Sequence, residues 1–192
     1  LAALQSEISD VLELDIRNSG DGLLNSECGA DFVHQNQALP LTFSSEGDAN
    51  LRCCALDGDA DRVIYFYASE DEFHEVDGDK LSALYAGYLK ELVEATGLPF
   101  SIGVAQTAYA NGASTTYISK TMGLEVRLAA TGVKNIHPKA EEFDVGVYFE
   151  SNGHGTVLFK EHVIEKLKEM AEGVSLVRRV LCFCSNWFIG CG

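Results

Sequence analysis

Positive charge is scarce in this sequence. Against 29 Asp and Glu stand only 14 Lys and Arg, and the net charge over 192 residues is −15. Tracking a nucleic-acid backbone needs clustered cations, so no nucleic-acid partner is expected. A small anionic substrate is still compatible, because a metal and a few local cations can serve one phosphate. Long apolar runs are missing too. Nothing approaches 18 consecutive apolar residues, so no membrane span is expected. The six cysteines include no Cys-x-x-Cys pair, and no signal peptide is read ahead of the first strand. Adjacent Cys53 and Cys54 read as small core residues pointing to opposite faces of a strand. A reducing, cytoplasmic setting is therefore expected. The first residue is Leu1 rather than Met, which suggests a fragment or processed product. What is present is ordinary globular composition, 46% hydrophobic and 22% charged, enough for one sizeable core or two small ones.

The first fifty residues are punctuated by Gly, Asn and Ser, with one helix expected over Leu1–Leu12 and loops over 20–25 and 40–50. Two apolar runs, 51–56 and 63–68, read as strands rich in β-branched and aromatic residues. The charged stretch 69–75 reads as a domain boundary. Beyond it, Leu81, Leu84, Tyr85, Tyr88, Leu89, Leu92 and Val93 recur with helical spacing and predict one apolar stripe over 77–97. Asp77 or Asp79 can cap that helix, and Gly97 with Pro99 stops it. A strand over 101–107, a polar helix near 111–122 and an alternating strand over 124–130 follow. The alternation puts Leu124, Val126, Leu128 and Ala130 on one face. Strands over 144–150 and 156–159 flank a Ser-Asn-Gly-His-Gly turn, and an amphipathic helix covers 160–172. Strands alternating with helices predict an α/β fold with mixed sheets flanked by helices. The expected division is 1–72, 73–172 and an atypical tail 173–192.

The most informative stretch is Asp57-Gly58-Asp59-Ala60-Asp61-Arg62, on the connection between the first two strands. Three hard oxygen donors on one tight turn suit a small divalent cation, and Mg2+ fits best. An EF-hand fits worse: counting Asp57 as position 1, position 6 is Arg62 rather than Gly and position 12 is Ala68 rather than Glu. Unneutralised, three carboxylates would repel one another. A solvated acidic turn is the competing reading.

In Glu150-Ser151-Asn152-Gly153-His154-Gly155, two glycines allow positive φ, so that Glu150, Ser151, Asn152 and His154 can converge. A carboxylate, a hydroxyl, an amide and an imidazole suit a polyhydroxylated ligand such as a sugar. A plain β-hairpin with Asn-Gly at its tip is the alternative. Thr131 to Lys139 carries Lys134, His137 and Lys139 at a strand end where an anion can dock, or else forms a solvated basic loop. Gly103 to Gly112 has only a weak phosphate-loop look and lacks the Lys-Ser/Thr pair of a P-loop, and no serine sits in a nucleophile elbow.

Taken in order and spacing, Asp57–Arg62, Thr131–His137 and Glu150–Thr156 resemble the α-D-phosphohexomutase superfamily. Cys28–Val33, Gln106–Gly112 and Glu142–Phe149 are similar, within it, to the phosphoacetylglucosamine mutases. The likeness runs over roughly residues 10–159. It implies the end of domain 2 and most of domain 3 of a four-domain isomerase. In that family a phosphoserine passes its phosphoryl group to a sugar, here N-acetylglucosamine 6-phosphate or 1-phosphate, toward UDP-N-acetylglucosamine. The resemblance makes Asp57, Asp59 and Asp61 magnesium ligands and puts Arg62 beside the transferring phosphoryl group. Glu150, Ser151, Asn152 and His154 become the sugar loop, with Thr131, Lys134 and His137 facing it. The implied partner is a phosphorylated amino sugar. The serine loop of the Thr-Ala-Ser-His-Asn-Pro kind and the phosphate loop of the Arg-Pro-Ser-Gly-Thr-Glu kind are not in these residues, so the isolated chain is expected to be inactive. A phosphoglucomutase or phosphoglucosamine mutase fragment, or a non-catalytic metal- or sugar-binding piece, is the alternative.

Overall fold

The computed structural model describes residues 13–20, 22–69 and 72–170. The helix expected over Leu1–Leu12 and the tail 173–192 lie outside the described residues.

The first sheet is a three-stranded antiparallel meander, β1 (Cys53–Leu56), β2 (Val63–Ala68) and β3 (Phe73–Val76). In β2 the period of two is strict: Ile64, Phe66 and Ala68 are buried while Tyr65 and Tyr67 face outward. The buried face packs on a short helix that the sequence did not suggest, α1 (Ala30–Asn36), through Ala30 and Val33. Phe66 adds an edge contact with Phe43 and a stack with Phe73. Cys53 packs beside this core, but Cys54 pairs with Tyr65 in register, shares its outward face and is exposed. Part of the charged stretch 69–75 is strand. Phe73–Glu75 belong to β3, which pairs with β2 from Tyr65↔Val76 to Ala68↔Phe73.

Helix α2 (Gly78–Thr96) starts at once, capped by Asp77, whose carboxylate accepts the Lys80 N–H at 2.9 Å, and ended by Gly97 at φ 71°. Leu81, Leu89, Leu92 and Val93 are buried, whereas Leu84 and Tyr88 are exposed. The expected stripe is wider than the sheet beneath it. Its surplus edge joins Tyr65 and Tyr67 along an open groove of about 550 Å³.

The second sheet has the order β5-β4-β6-β7, from β4 (Ile102–Thr107), β5 (Glu125–Ala129), β6 (Val145–Phe149) and β7 (Gly155–Phe159). β4 runs parallel to both β5 and β6, and β7 closes the edge antiparallel to β6. One face holds Val104, Val147, Phe149 and Val157 against α2 and α5 (Glu161–Met170), the latter through Val163 and Leu167. The other packs Ala105 and Tyr148 on Ile136 and Ala140 of α4 (Val133–Ala140). With both faces covered, β6 and the first four residues of β4 are continuous apolar runs, and β4 ends in buried Gln106 and Thr107. The polar helix forms as α3 (Gly112–Thr116), capped by Asn111 and continued by one π turn over 117–121. At edge strand β5, Val126 and the preceding Leu124 pack on the Ile118 cluster, but Leu128 is exposed. Three parallel strands therefore end on one edge, and the loops that leave them carry the site. Among the described residues no helix is long and apolar enough to cross a membrane.

Candidate metal and sugar site

The β1–β2 connection brings one carboxylate oxygen each of Asp57, Asp59 and Asp61 within 4.8 Å of one another. The turn closes by an Ala60 N–H bond to the Asp57 carbonyl at 3.1 Å, with Ala60 at φ 60°. A left-handed alanine costs roughly 1–2 kcal/mol, which this loop accepts to aim its acids inward. Burial, then the facing Asp61 carboxylate, pushes the Asp57 carboxyl above the usual carboxylate range. Three converging hard donors with one destabilised carboxylate fit a divalent cation that prefers oxygen, as magnesium does.

Arg62 closes this cluster. Its guanidinium bonds Asp31 Oδ1 at 2.5 Å and lies 3.6 Å from Asp57 Oδ2 and 3.8 Å from Asp61 Oδ1. Its Nε is buried and makes no hydrogen bond among the described residues. Asp31, in the first turn of α1, is the member that sequence reasoning missed. Asp31 lies within Cys28–Val33, which resembles the family, but nothing in a linear sequence pairs position 31 with position 62.

The β6–β7 hairpin carries the second loop. Glu150 N–H donates to the His154 carbonyl at 2.8 Å, Gly153 N–H to the Glu150 carbonyl at 2.9 Å, and His154 N–H to Asn152 Oδ1 at 3.1 Å. Only Gly153 adopts positive φ, at 87°. Gly155 is needed for closeness instead: a Cβ there would overlap the Tyr148 carbonyl oxygen. The hairpin reaches across to the first unit. Val63 N–H donates to the Gly153 carbonyl at 3.2 Å, Arg62 and His154 form a β-bridge, and His154 Nδ1 lies 2.9 Å from Asp61 Oδ2. From below, the Gly78 N–H at the start of α2 donates to the Ser151 carbonyl at 3.2 Å. Any side chain at position 78 would strike the Glu150 carbonyl.

The third segment differs from expectation. Thr131 and Gly132 form a short lead-in and the rest is helix α4, entered through Gly132 at φ 101°. Its tie to the sugar loop is the Gly132 N–H, which donates to Glu150 Oε1 at 3.0 Å. His137 packs on Tyr148 with Nδ1 3.2 Å from the phenol oxygen, and its Nε2 lies 3.4 Å from Glu141. Lys139 pairs with Glu142 at 2.6 Å. Lys134 is exposed and makes no ion pair among the described residues. Direct contacts thus join Asp57, Asp61, Arg62, His154, Glu150 and Gly132, with Asp59 in the carboxylate cluster. His137 stands one turn along α4, engaged by its own neighbours.

A family model described as phosphoacetylglucosamine mutase AMG1, domain III, matches residues 77–181, more than half of the chain; its domain II counterpart matches residues 4–64. The chain belongs to the phosphoacetylglucosamine mutase family. The likeness extends further than residues 10–159 at both ends. The phosphoacetylglucosamine mutase of Homo sapiens is 48% identical over 174 residues, 90% of this chain and 32% of that protein. Phosphoacetylglucosamine mutase 1 of Schizosaccharomyces pombe is 47% identical, over 83% of this chain and 32% of that protein. The chain thus spans about a third of the length of these curated relatives. Among solved structures, the Aspergillus fumigatus N-acetylphosphoglucosamine mutase in complex with GlcNAc-6P and magnesium has a TM-score of 0.74 at 43% identity, over 82% of this chain and 30% of that one. An N-acetylglucosamine-phosphate mutase of the α-D-phosphohexomutase superfamily, in its apo form, also gives 0.74 at 42% identity, over 83% and 35%. The α/β architecture with two sheets is that of the superfamily.

Proposed function

We propose that this chain forms the metal- and sugar-binding centre of a phosphoacetylglucosamine mutase, an isomerase interconverting N-acetylglucosamine 6-phosphate and 1-phosphate toward UDP-N-acetylglucosamine. The observation that carries this reading is the junction of two loops far apart in sequence. Three carboxylates within 4.8 Å are pinned through Asp61 to His154, in the hairpin that bears Glu150, Ser151 and Asn152. A merely solvated acidic turn needs no such anchor. That a related mutase holds GlcNAc-6P and magnesium supports the same ion and a phosphorylated amino sugar here.

Held by Asp57, Asp59 and Asp61, magnesium would supply positive charge to a phosphoryl oxygen. The chain's own groups do the rest. Arg62, held beside the carboxylates by Asp31, is a cation suited to charge developing on a phosphoryl group. Glu150 is fixed by the Gly132 N–H, leaving its second oxygen to accept a sugar hydroxyl. Ser151 and Asn152 add a hydroxyl and an amide, and Lys134 a cation without an ion-pair partner among the described residues. Thr131 and His137 border this edge of the sheet.

Phosphoryl transfer also needs a nucleophile, a phosphoserine by family resemblance, and no serine of these 192 residues lies in a loop of that kind. These residues alone should bind and not turn over. Unpaired Cys28, Cys53 and Cys54 support a cytoplasmic setting. Manganese relaxation and magnesium calorimetry test the centre. Millimolar affinity, weakened at least tenfold in Asp59→Asn, is expected; no binding at millimolar metal, or binding indifferent to that change, defeats the reading.

A further inference from the structure

Gln106 to Gly112 has so far no part in the site, yet it leaves the strand that stands between the two sugar-facing loops. β4 lies between β5 and β6, with Thr107 opposite Ala129 and Ala105 opposite Tyr148. Neighbouring strands are about 5 Å apart, so residues leaving β4, β5 and β6 emerge side by side. The Glu150–Gly132 hydrogen bond joins the exits of β5 and β6 and therefore crosses the end of β4. Whatever tops β4 borders the sugar loop.

What tops it is Tyr109, 82% exposed and with no hydrogen bond or ring contact among the described residues. Single exposed aromatics are commonplace on proteins. This one is set apart by the rigidity of its base. Ala108 N–H bonds the Ala129 carbonyl at 3.2 Å and Ala110 N–H the Thr107 carbonyl at 3.1 Å. Asn111 N–H bonds Oδ2 of buried Asp79 at 2.8 Å, while Asn111 Oδ1 accepts the Ala113 N–H at 2.9 Å and caps α3. Four hydrogen bonds thus fix the backbone on both sides of a side chain that covers nothing. The loop carries no charge between Thr107 and Gly112, and alanines flank the tyrosine. Its chemistry suits a methyl group or a C–H face, not a phosphate.

We propose that Tyr109 contacts the substrate and selects the acetamido group of the hexose phosphate, its ring packing on the acetyl methyl. This rests on the mutase reading above. With the full 192-residue chain in magnesium, saturation-transfer NMR and titration would compare N-acetylglucosamine 6-phosphate with glucose 6-phosphate. The acetyl methyl should receive the strongest saturation, and the acetylated sugar should bind about tenfold tighter, the scale of one small apolar group. Tyr109→Ala should bring that ratio to about one with glucose 6-phosphate affinity unchanged, and Tyr109→Phe should keep it. So exposed a position leaves the fold intact, which a matching circular dichroism melt checks. If both sugars bind and Tyr109→Ala leaves their ratio unchanged, the inference fails and the mutase reading stands. If neither sugar phosphate binds the unaltered chain, both fail.

Discussion

The acidic loop, 57–62, and the sugar loop, 150–155, touch each other but are held in opposite ways. The acidic loop works against itself: three carboxylates converge, Ala60 sits in the left-handed region, and burial lifts the Asp57 carboxyl. Beyond its own turn bonds from Ala60 and Arg62 to Asp57, its restraint comes through side chains, Arg62 on Asp31 and Asp61 on His154. The sugar loop closes on its own backbone hydrogen bonds and is wedged by two glycines against β2 and α2. One loop is tuned by charge and waits for a ligand to relieve it. The other is fixed by shape before any ligand arrives. On the proposed reading, preorganising the groups that would face the sugar while leaving a metal to settle the acids is a sensible division, since charge can be neutralised on binding and shape cannot.

The sharpest way to break this comparison is one methyl group placed in each loop. In Gly153→Ala the new Cβ overlaps the Val63 carbonyl oxygen, and the backbone at φ 87° disfavours any L side chain. Positive φ alone costs about 1 kcal/mol, and overlap with backbone that cannot move raises the total to roughly 3 kcal/mol or more. For a chain of this size that is a fall in Tm of about 6–12 °C. In Gly58→Ala the Cβ meets Leu24 at an ordinary 3.5 Å, and the expected change is within about 0.5 kcal/mol. Thermal melts of both variants decide the matter. Equal shifts would mean that shape does not distinguish the loops.

A middle-sized effect separates them by pH. Asp57 has its folded pKa raised above its unfolded value, burial first and Asp61 second. In the window between those values the folded state binds the extra proton, so stability falls as pH rises through the Asp57 folded pKa. Asp48 is the reverse case: hydrogen bonding to Arg17 holds its carboxyl below the usual range. Its contribution is present above the unfolded pKa and is lost as pH falls through the folded one. Asp57→Asn should flatten the first slope and leave the second. Magnesium, by binding the ionised trio, should stabilise the fold only above the first window, by about 1.4 kcal/mol at ten times its Kd. Melts across pH with and without metal read all of this. A metal effect surviving at low pH would sink the assignment of charge as the governing term.

Which parts could be read from the sequence follows the same divide. The strand pair around the acidic loop, the capped helix at Asp77 and the mixed sheet all rest on local periodicity and turn chemistry, which a linear reading captures. Burial at the element edges was less readable. Leu84, Tyr88, Leu128 and Cys54 fit their patterns yet are exposed, because a repeat reveals a face but not how far the opposing layer extends. The α4 stretch reads as a loop because Asn135, His137 and Pro138 are weak helix formers; packing of Ile136 and Ala140 under the sheet overrides them. In the site, the acids and the sugar turn announced themselves by composition. The junctions did not: His154 to Asp61, Gly132 to Glu150 and Arg62 to Asp31 are contacts between distant segments, and single positions carry no record of them.

The smallest expected effect tests whether Asp31 belongs to the acidic loop's restraint or merely decorates it. The Asp31–Arg62 pair is half exposed, with side chains 44% and 31% accessible. Pairs so wetted contribute about 0.2–1 kcal/mol, and an acid in a helix's first turn adds a few tenths through the dipole. Asp31→Asn should therefore lower stability by about 1 kcal/mol or less, a Tm change of about 2–4 °C that salt diminishes. Its informative readout is metal affinity. Freed from Asp31, the guanidinium can close the 3.6 and 3.8 Å gaps to Asp57 and Asp61 and compete for the oxygens that the cation needs. Asp31→Asn should thus weaken magnesium binding more than its stability change suggests, and Arg62→Ala in the same background should restore it. Binding unchanged in Asp31→Asn would mean that the carboxylates hold the metal without help from the far side of the arginine.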